Sequence, residues 1–142
     1  MKLSKTAAII LVTPKGELIL QRRDAKASAS PKKLSLFGGH MHEGEEPIDA
    51  LLREVGEETT IALGDVGYEF TGIIDTPPYP GHNLHGRCFI FFAKLKDDNF
   101  KVYEGKGHEK YLYYDLMQRE DIDQATKYVL NELKGRHIWP SA

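Results

Sequence analysis

Cysteine is nearly absent from the sequence: Cys88 is its single example among 142 residues. One cysteine cannot form a disulfide within the chain, and it argues against a cysteine-based metal site in one chain. Cys88 also lies in the apolar segment 88–93, where nothing nearby supplies a base or a positive field to activate a thiol. We therefore expect a buried strand residue at this position and no cysteine nucleophile.

An excess of charge of either sign is also lacking, since 19 Lys and Arg residues stand against 21 Asp and Glu residues, for a formal net charge of −2. Proteins that bind nucleic acid are usually markedly basic, so we expect no nucleic-acid partner. The longest apolar runs, 7–12 and 88–93, are far shorter than the roughly 20 residues of a membrane span. No signal-peptide pattern is present either. These absences predict a cytoplasmic protein that does not associate with membranes.

Length and composition indicate one globular domain. Hydrophobic residues make up 41% of the chain and charged residues 28%, a balance typical of folded proteins. A chain of this length buries roughly two-thirds of the surface that it exposes when unfolded. No internal repeat, low-complexity tract or linker interrupts the sequence, so we expect a single domain over residues 1–142.

Hydrophobic periodicity and turn residues predict the order of the helices and strands. Two N-terminal strands flank a turn at 14–16 and form a hairpin, and the last helix begins at an N-cap, Asp121, and ends at Gly135. The predicted strands are 6–12, 17–21, 34–37, 66–74, 87–95, 100–103 and 110–114, and the other predicted helix is 47–59. This order predicts the α/β (α+β) class, with a mixed β-sheet sandwiched between helices.

Acidic residues are concentrated in one segment: seven lie within residues 39–58, with Arg53 as the single basic residue among them. Glu54, Glu57 and Glu58 are three and four positions apart, so they lie on one face of the predicted helix. Like charges at that spacing repel each other. Bound Mg²⁺ or Mn²⁺ would remove the repulsion, because hard cations prefer carboxylate oxygens. The alternative is an ordinary acidic helix face in contact with solvent.

Three details favour the metal site over the solvated face. Glycines precede the helix, so backbone carbonyls can approach a metal without obstruction. Arg53 lies beside Glu54, where its guanidinium could hold Glu45 or Glu57. The full spacing resembles the signature of the Nudix hydrolase family at every specified position except Thr60, where the family has glycine. The segment reads Gly39-x5-Glu45-x7-Arg53-Glu54-Val55-x-Glu57-Glu58-x-Thr60-Ile61.

The resemblance extends to most of the chain and implies the Nudix fold, together with hydrolysis of a nucleoside diphosphate linked to another moiety. It implies Mg²⁺ (or Mn²⁺) as the cofactor and a small-molecule nucleotide as the partner. The implied metal ligands are Glu54, Glu57, Glu58 and the carbonyl of Gly38. Glu54 or Glu45 would orient or deprotonate the attacking water, and Arg53 would hold carboxylates in position.

Further candidates lie outside this segment. Glu104, before Gly105, resembles the Glu-Gly element of mutator-type members, which implies a further metal ligand or base; an ordinary loop acid is the alternative, and Glu109 is a second choice. Arg22 and Arg23 close the second strand, and strand alternation points one of them inward to grip a phosphate or a base. The remaining candidates for substrate binding, at the rim of the pocket, are His82 and His85.

Thr60 is the one departure from the signature. The glycine that the family has there suits a left-handed residue after the helix, a conformation that a β-branched threonine adopts poorly. We expect the helix to end differently in this chain, at a cost in stability rather than in chemistry.

The substrate favoured by the sequence is a nucleoside triphosphate, oxidised ones included, with a monophosphate and pyrophosphate as products. A nucleotide sugar is the second candidate, because the loop at 76–86 leaves room for a sugar. A nucleotide-binding regulatory module is a third, although the glutamates that such modules commonly lose are all present. An isoprenoid diphosphate isomerase is disfavoured because Cys88 lacks a catalytic context. A homodimer is left open.

Overall fold

The computed structural model describes residues 2–27, 31–78, 84–103, 105 and 107–136. Its strands, in chain order, are β1 (Lys2–Val12), β2 (Leu18–Arg22), β3 (Leu34–Ser35), β4 (Phe37–His40), β5 (Glu69–Thr76), β6 (Leu84–Lys94) and β7 (His108–Tyr111). Its helices are α1 (Pro47–Glu58), α2 (Leu63–Val66), α3 (Tyr113–Met117) and α4 (Gln124–Gly135). No helix in these ranges combines the length and the apolar character that crossing a membrane requires.

Within the described residues, the seven strands form one mixed sheet in which β1 is the organising strand. Along one edge, β1 pairs in parallel with β6 over its whole length, and β5 lies antiparallel beyond β6. The other edge of β1 is divided: its middle residues, 6–9, pair antiparallel with β4, and its last residues pair antiparallel with β2. Strand β2 in turn pairs with β3 and with β7.

Strand alternation places the core in two layers, one on each face of the sheet. Ala7, Ile9 and Leu11 of β1 belong to the layer that packs against α1, with Leu51 and Val55 of the helix. The residues between them, such as Ile10, belong to the layer beneath α4, with Val129, Leu130 and Leu133. The predicted arrangement, a mixed sheet sandwiched between helices, is therefore confirmed.

The helix that carries the acidic residues forms where the pattern predicts it. Pro47 occupies the first turn of the helix. Backbone N–H groups there have no acceptor within the helix, so the N–H that proline lacks costs no hydrogen bond. Ala50, Leu51 and Val55 are buried, so one face of the helix packs on the sheet. The helix ends at Glu58, and Thr59 follows in an extended conformation with its backbone N–H and its hydroxyl both bonded to the carbonyl of Val55.

Several predicted boundaries are wrong, and tertiary contacts explain them. The N-cap of α4 is Asp123, whose carboxylate accepts from the Thr126 N–H at 3.0 Å; Asp121 is held instead by two arginines. The strand predicted at 110–114 stops at Tyr111, because the chain turns into α3 and buries Leu116. The segment 100–103 forms a single β-bridge, between Val102 and Thr59, rather than a strand. The strand predicted at 66–74 is preceded by α2 and runs to Thr76.

Candidate functional site

Two glycines of β4 allow close approach of neighbouring elements, Gly38 of the β1 backbone and Gly39 of a side chain of α1. Gly38 has a φ of +139°, and a Cβ there would lie 2.1 Å from the carbonyl oxygen of Ala7. A Cβ on Gly39 would lie 2.4 Å from the carboxyl carbon of Glu54. The carboxylate of Glu54 therefore occupies the space that a side chain at residue 39 would need, and the β1 backbone occupies the space that one at residue 38 would need.

Arg53 is the centre of the polar network on α1. Its Nε donates to Oε2 of Glu45 at 2.9 Å, its Nη2 to Oε1 of Glu45 at 3.0 Å, and its Nη1 to Oε1 of Glu54 at 2.8 Å. Nη2 also donates to the carbonyl of His40 at 3.0 Å. The hydrogen bonds from Arg53, helped by the backbone N–H of His42, lower the pKa of Glu45 to about 2. The contact between Arg53 and Glu45 that the sequence suggested is therefore present.

Glu58 is the buried acid of the site. Its Oε1 accepts from the backbone N–H of Gly38 at 3.1 Å, and its Oε2 accepts from the amide of Gln21 at 3.4 Å. Burial raises the pKa of Glu58 to about 7, because these two hydrogen bonds and the charge of Arg23 do not compensate for lost hydration. The negative charge of Glu54 contributes to this rise. The protein alone thus disfavours the ionised form of this carboxyl group.

A cavity of about 500 Å³ connects these acids with the opposite face of the sheet. It lies within the volume range of small-molecule binding sites. Glu54, Glu58 and the backbone of Gly38 and Gly39 line it together with side chains from β1, β3, β6 and the first turns of α4. The remaining lining residues are Thr6, Ala7, Ala8, Arg23, Ser35, Leu36, His40, His42, Cys88, Ile90, Asp123, Ala125, Thr126 and Val129.

The predicted metal ligands are only partly brought together. Glu54, Glu58 and Gly38 line one cavity, whereas the side chain of Glu57 is 61% exposed and its Oε2 lies 3.7 Å from Nη1 of Arg53. Glu104 lies outside the described residues. Among the residues that the structure does describe, no three acidic, histidine or cysteine side chains converge on a point. The candidate metal ligands that do line the same cavity are oxygen atoms. One of them belongs to Glu58, whose negative charge is buried without a neighbouring positive charge sufficient to offset the loss of hydration. A hard divalent cation would supply that charge.

The two arginines at the end of β2, Arg22 and the following Arg23, have different surroundings. Arg23 lines the cavity. The Nε and Nη2 atoms of Arg22 bind the carboxylate of Glu109 at 2.7 and 2.9 Å, and its Nη1 lies 2.9 Å from Oδ2 of Asp121. Arg23 is therefore the arginine that fits the expectation of one side chain facing the site. Arg22 and Glu109 bind each other, so their contacts do not support a role of Arg22 in substrate binding or of Glu109 in metal binding. His82 lies outside the described residues, and His85 is described only through its backbone in β6.

The sequence did not single out Ser35, Thr126 or Asp123, which line the cavity. The Ser35 hydroxyl is buried and has no hydrogen-bond partner among the described residues. Its signal in the sequence is weak: one small polar residue within the apolar stretch 34–37. Cys88 is buried, as predicted, and its Sγ accepts from the hydroxyl of Thr6 at 3.2 Å. Burial raises the pKa of this thiol, which agrees with an unreactive cysteine.

Comparison with known proteins identifies the family of the chain. The family model described as NUDIX domain matches residues 2–133. The Xenopus laevis protein named m7GpppN-mRNA hydrolase NUDT17 is 29% identical over 94 residues, which are 65% of this chain and 32% of that protein. The chain therefore matches about a third of the length of this curated relative.

Solved structures show the same fold. The MutT protein from Methanosarcina mazei Go1 superposes with a TM-score of 0.79 at 19% identity and covers 96% of each chain. The NUDIX domain of Shewanella oneidensis NrtR, crystallised with ADP ribose, superposes with a TM-score of 0.73 at 14% identity and covers 96% of this chain and 89% of that one. With the family model matching nearly the whole sequence, the chain belongs to the Nudix hydrolase family.

Proposed function

We propose that this protein hydrolyses the pyrophosphate linkage of a nucleoside triphosphate, with Mg²⁺ or Mn²⁺, to give a nucleoside monophosphate and pyrophosphate. Nudix hydrolases act on nucleotide derivatives and generally need divalent metal ions, so the family supports the reaction class. The observation that carries the proposal is the shared cavity. Its lining joins the carboxylates of Glu54 and Glu58 to polar groups of Ser35 and Asp123, a combination that suits a phosphate chain and a polar heterocycle in one molecule.

The acidic residues of α1 would hold the cation. Glu54 and Glu58 are the ligands that the cavity supports; Glu57 is added by its helical spacing and by the resemblance, and Glu104 by the resemblance alone. When bound, a divalent cation would offset the negative charge of the pyrophosphate and make a coordinated water more acidic. Arg23, which also lines the cavity, would bring positive charge to the phosphates.

Two glutamates are candidates for the general base, and their contacts favour Glu54. Both oxygens of Glu45 accept hydrogen bonds from Arg53, and Oε1 accepts a further one from the backbone N–H of His42 at 2.7 Å. A carboxylate with a pKa of about 2 is a weak base at neutral pH. Glu54 lines the cavity and shares only Oε1 with Arg53. We therefore assign proton removal from the attacking water to Glu54, and assign Glu45 to orienting Arg53.

A nucleoside diphosphate linked to a sugar is the second candidate substrate. The specific observation in its favour is the likeness to the NrtR domain, whose crystals contain ADP ribose. The cavity volume of about 500 Å³ accommodates either class, so the identity of the products distinguishes them.

The test is a substrate panel with purified protein. Nucleoside triphosphates (8-oxo-dGTP included), dinucleotides, ADP ribose, nucleotide sugars and capped RNA are each incubated with Mg²⁺ and with Mn²⁺, and the products are identified by mass spectrometry. Monophosphate plus pyrophosphate from a triphosphate is the expected result. A sugar phosphate plus a nucleoside monophosphate would favour the second candidate. Binding without turnover by folded protein would overturn both and favour a regulatory module.

A further inference from the structure

The segment 100–103, here called the strap, lies antiparallel along the C-terminal end of α1. The backbone N–H of Tyr103 donates to the carbonyl of Glu58 at 2.8 Å. Val102 forms a β-bridge with Thr59. The backbone N–H of Thr60 donates to the carbonyl of Lys101 at 3.0 Å. Three consecutive residues at the end of α1 therefore contact the strap through their backbones.

The side chain of Thr60 adds a contact that glycine cannot make. Its Oγ1 accepts from the backbone N–H of Lys101 at 2.9 Å. Thr60 also does not need the conformational freedom of glycine, because Lys32 is the only described non-glycine residue with a positive φ. The helix thus ends without a left-handed residue, as expected. Thr60, the residue that departs from the family signature, both donates a hydrogen bond to Lys101 and accepts one from it.

The strap connects the two elements that meet at Glu58. Beyond Tyr103, Gly107 accepts through its carbonyl from the backbone N–H of Arg22 at 3.0 Å, so the chain after the strap is bound to β2. The preceding residue of β2, Gln21, donates to the carboxylate of Glu58. At its other end, the ring of Phe100 packs edge-on against Phe37, next to Gly38, with ring centroids 6.0 Å apart.

We infer that Thr60 is a positioning residue for the reaction. Its hydroxyl fixes the strap on the end of α1, and the strap holds Glu58 in register with β2 and β4, which supply the groups that bond its carboxylate. This role rests on the proposed function of Glu58 as a metal ligand. A displaced strap would shift the backbone of Glu58 and weaken metal binding, while the nucleotide would still contact the rest of the cavity.

Three variants of Thr60 test the inference: Thr60→Val removes the acceptor at nearly constant volume, Thr60→Ser retains it, and Thr60→Gly restores the family residue. In Thr60→Val and Thr60→Gly, we expect amide hydrogen exchange at Lys101, measured by NMR, to accelerate about five- to tenfold, the scale of one hydrogen bond. We expect kcat to fall and the Mn²⁺ concentration for half-maximal activity to rise by similar factors, with KM changed less than about twofold. Thr60→Ser should retain the parent values.

Thr13→Val is the matched control, because the Thr13 hydroxyl also accepts backbone N–H groups, from Lys15 at 3.3 Å and Glu17 at 3.1 Å, in the hairpin turn. If Thr13→Val lost as much kcat as Thr60→Val, the loss would reflect general destabilisation, and the inference would be overturned. The inference would also be overturned if exchange at Lys101 accelerated in Thr60→Val while kcat and the Mn²⁺ dependence stayed unchanged. Unchanged exchange at Lys101 in that variant would overturn it too. Full activity of Glu58→Gln would instead refute the metal assignment, whatever the exchange at Lys101 shows.

Discussion

Arg53 and Glu45 form a two-pronged ion pair, with Nε 2.9 Å from Oε2 and Nη2 3.0 Å from Oε1. The same guanidinium reaches Glu54 through its remaining nitrogen, at 2.8 Å. One planar cation thus fixes two carboxylates that lie on different elements, the loop before α1 and α1 itself. Such a geometry uses all three nitrogens of a rigid planar fork, which arginine has and lysine lacks.

Arg53→Lys should therefore retain charge and lose activity. A single ammonium group cannot hold Glu45 and Glu54 in these positions together, so we expect kcat to fall about 10- to 100-fold, the scale reported for groups that orient metal ligands. Steady-state kinetics under saturating Mg²⁺ measure the change. Arg87→Lys is the control, since Arg87 makes a similar two-pronged pair with Asp75, at 2.9 and 3.2 Å, on β5 and β6. A comparable loss in both variants would refute the specific role of Arg53.

Glu58→Gln should abolish most turnover while the fold persists. Glutamine keeps the volume and can still accept from Gly38, yet it removes the charge that would bind a cation. We expect kcat to fall at least about 100-fold, comparable with removing one positioned electrostatic group from an active site. Glu43→Gln, at an exposed acid of the preceding loop, should remain within about twofold of the parent. Near-normal turnover of Glu58→Gln with Mg²⁺ on every substrate would show that Glu58 is no ligand.

The stability of the metal-free protein should fall as the pH rises from about 4.5 to about 7. The pKa of Glu58 is raised from 4.5 to about 7 in the folded state, so the folded protein holds this proton more tightly than the unfolded chain. The stabilising contribution is complete below pH 4.5 and is lost as the pH passes through 7. The shift corresponds to about 3 kcal/mol at most. Urea unfolding with EDTA at several pH values measures it, and Glu58→Gln should lack this component of the pH dependence.

Gly39→Ala should mainly lose activity, whereas Gly38→Ala should mainly lose stability. The atoms nearest to a methyl group at residue 39 belong to the side-chain end of Glu54, with its carboxyl carbon at 2.4 Å, so we expect a smaller stability loss than at residue 38 and a large loss of kcat. A methyl group at residue 38 meets the backbone of Ala7 at 2.1 Å, at a φ of +139°. The strained backbone alone destabilises by about 1–3 kcal/mol. Thermal unfolding and kinetics of both variants compare the two effects; retained activity in Gly39→Ala would contradict the assignment of Glu54.

The segment with the acidic residues could be predicted because its geometry is local. Helical spacing alone places Glu54 and Glu58 near each other, and a fixed separation along the chain brings Arg53 to Glu45. Asp121 and Asp123 could not be distinguished as the N-cap, because the decision depends on Arg22 and Arg119, which bind Asp121 from elsewhere in the fold. Ser35 and the strap depend on contacts between segments far apart in sequence, for which one sequence carries no periodic signal.

Two separate segments of the chain contribute different parts of the cavity lining, alongside residues of β1, β3 and β6. Residues 38–58 supply the acids and the glycines that accommodate them, while Asp123, Ala125, Thr126 and Val129 come from the beginning of α4. Substitutions in the second part change the shape and polarity that a ligand meets without touching Arg53, Glu54 or Glu58. Substitutions at the start of α4 can therefore alter which ligand fits the cavity, while the acids that we propose as metal ligands stay the same.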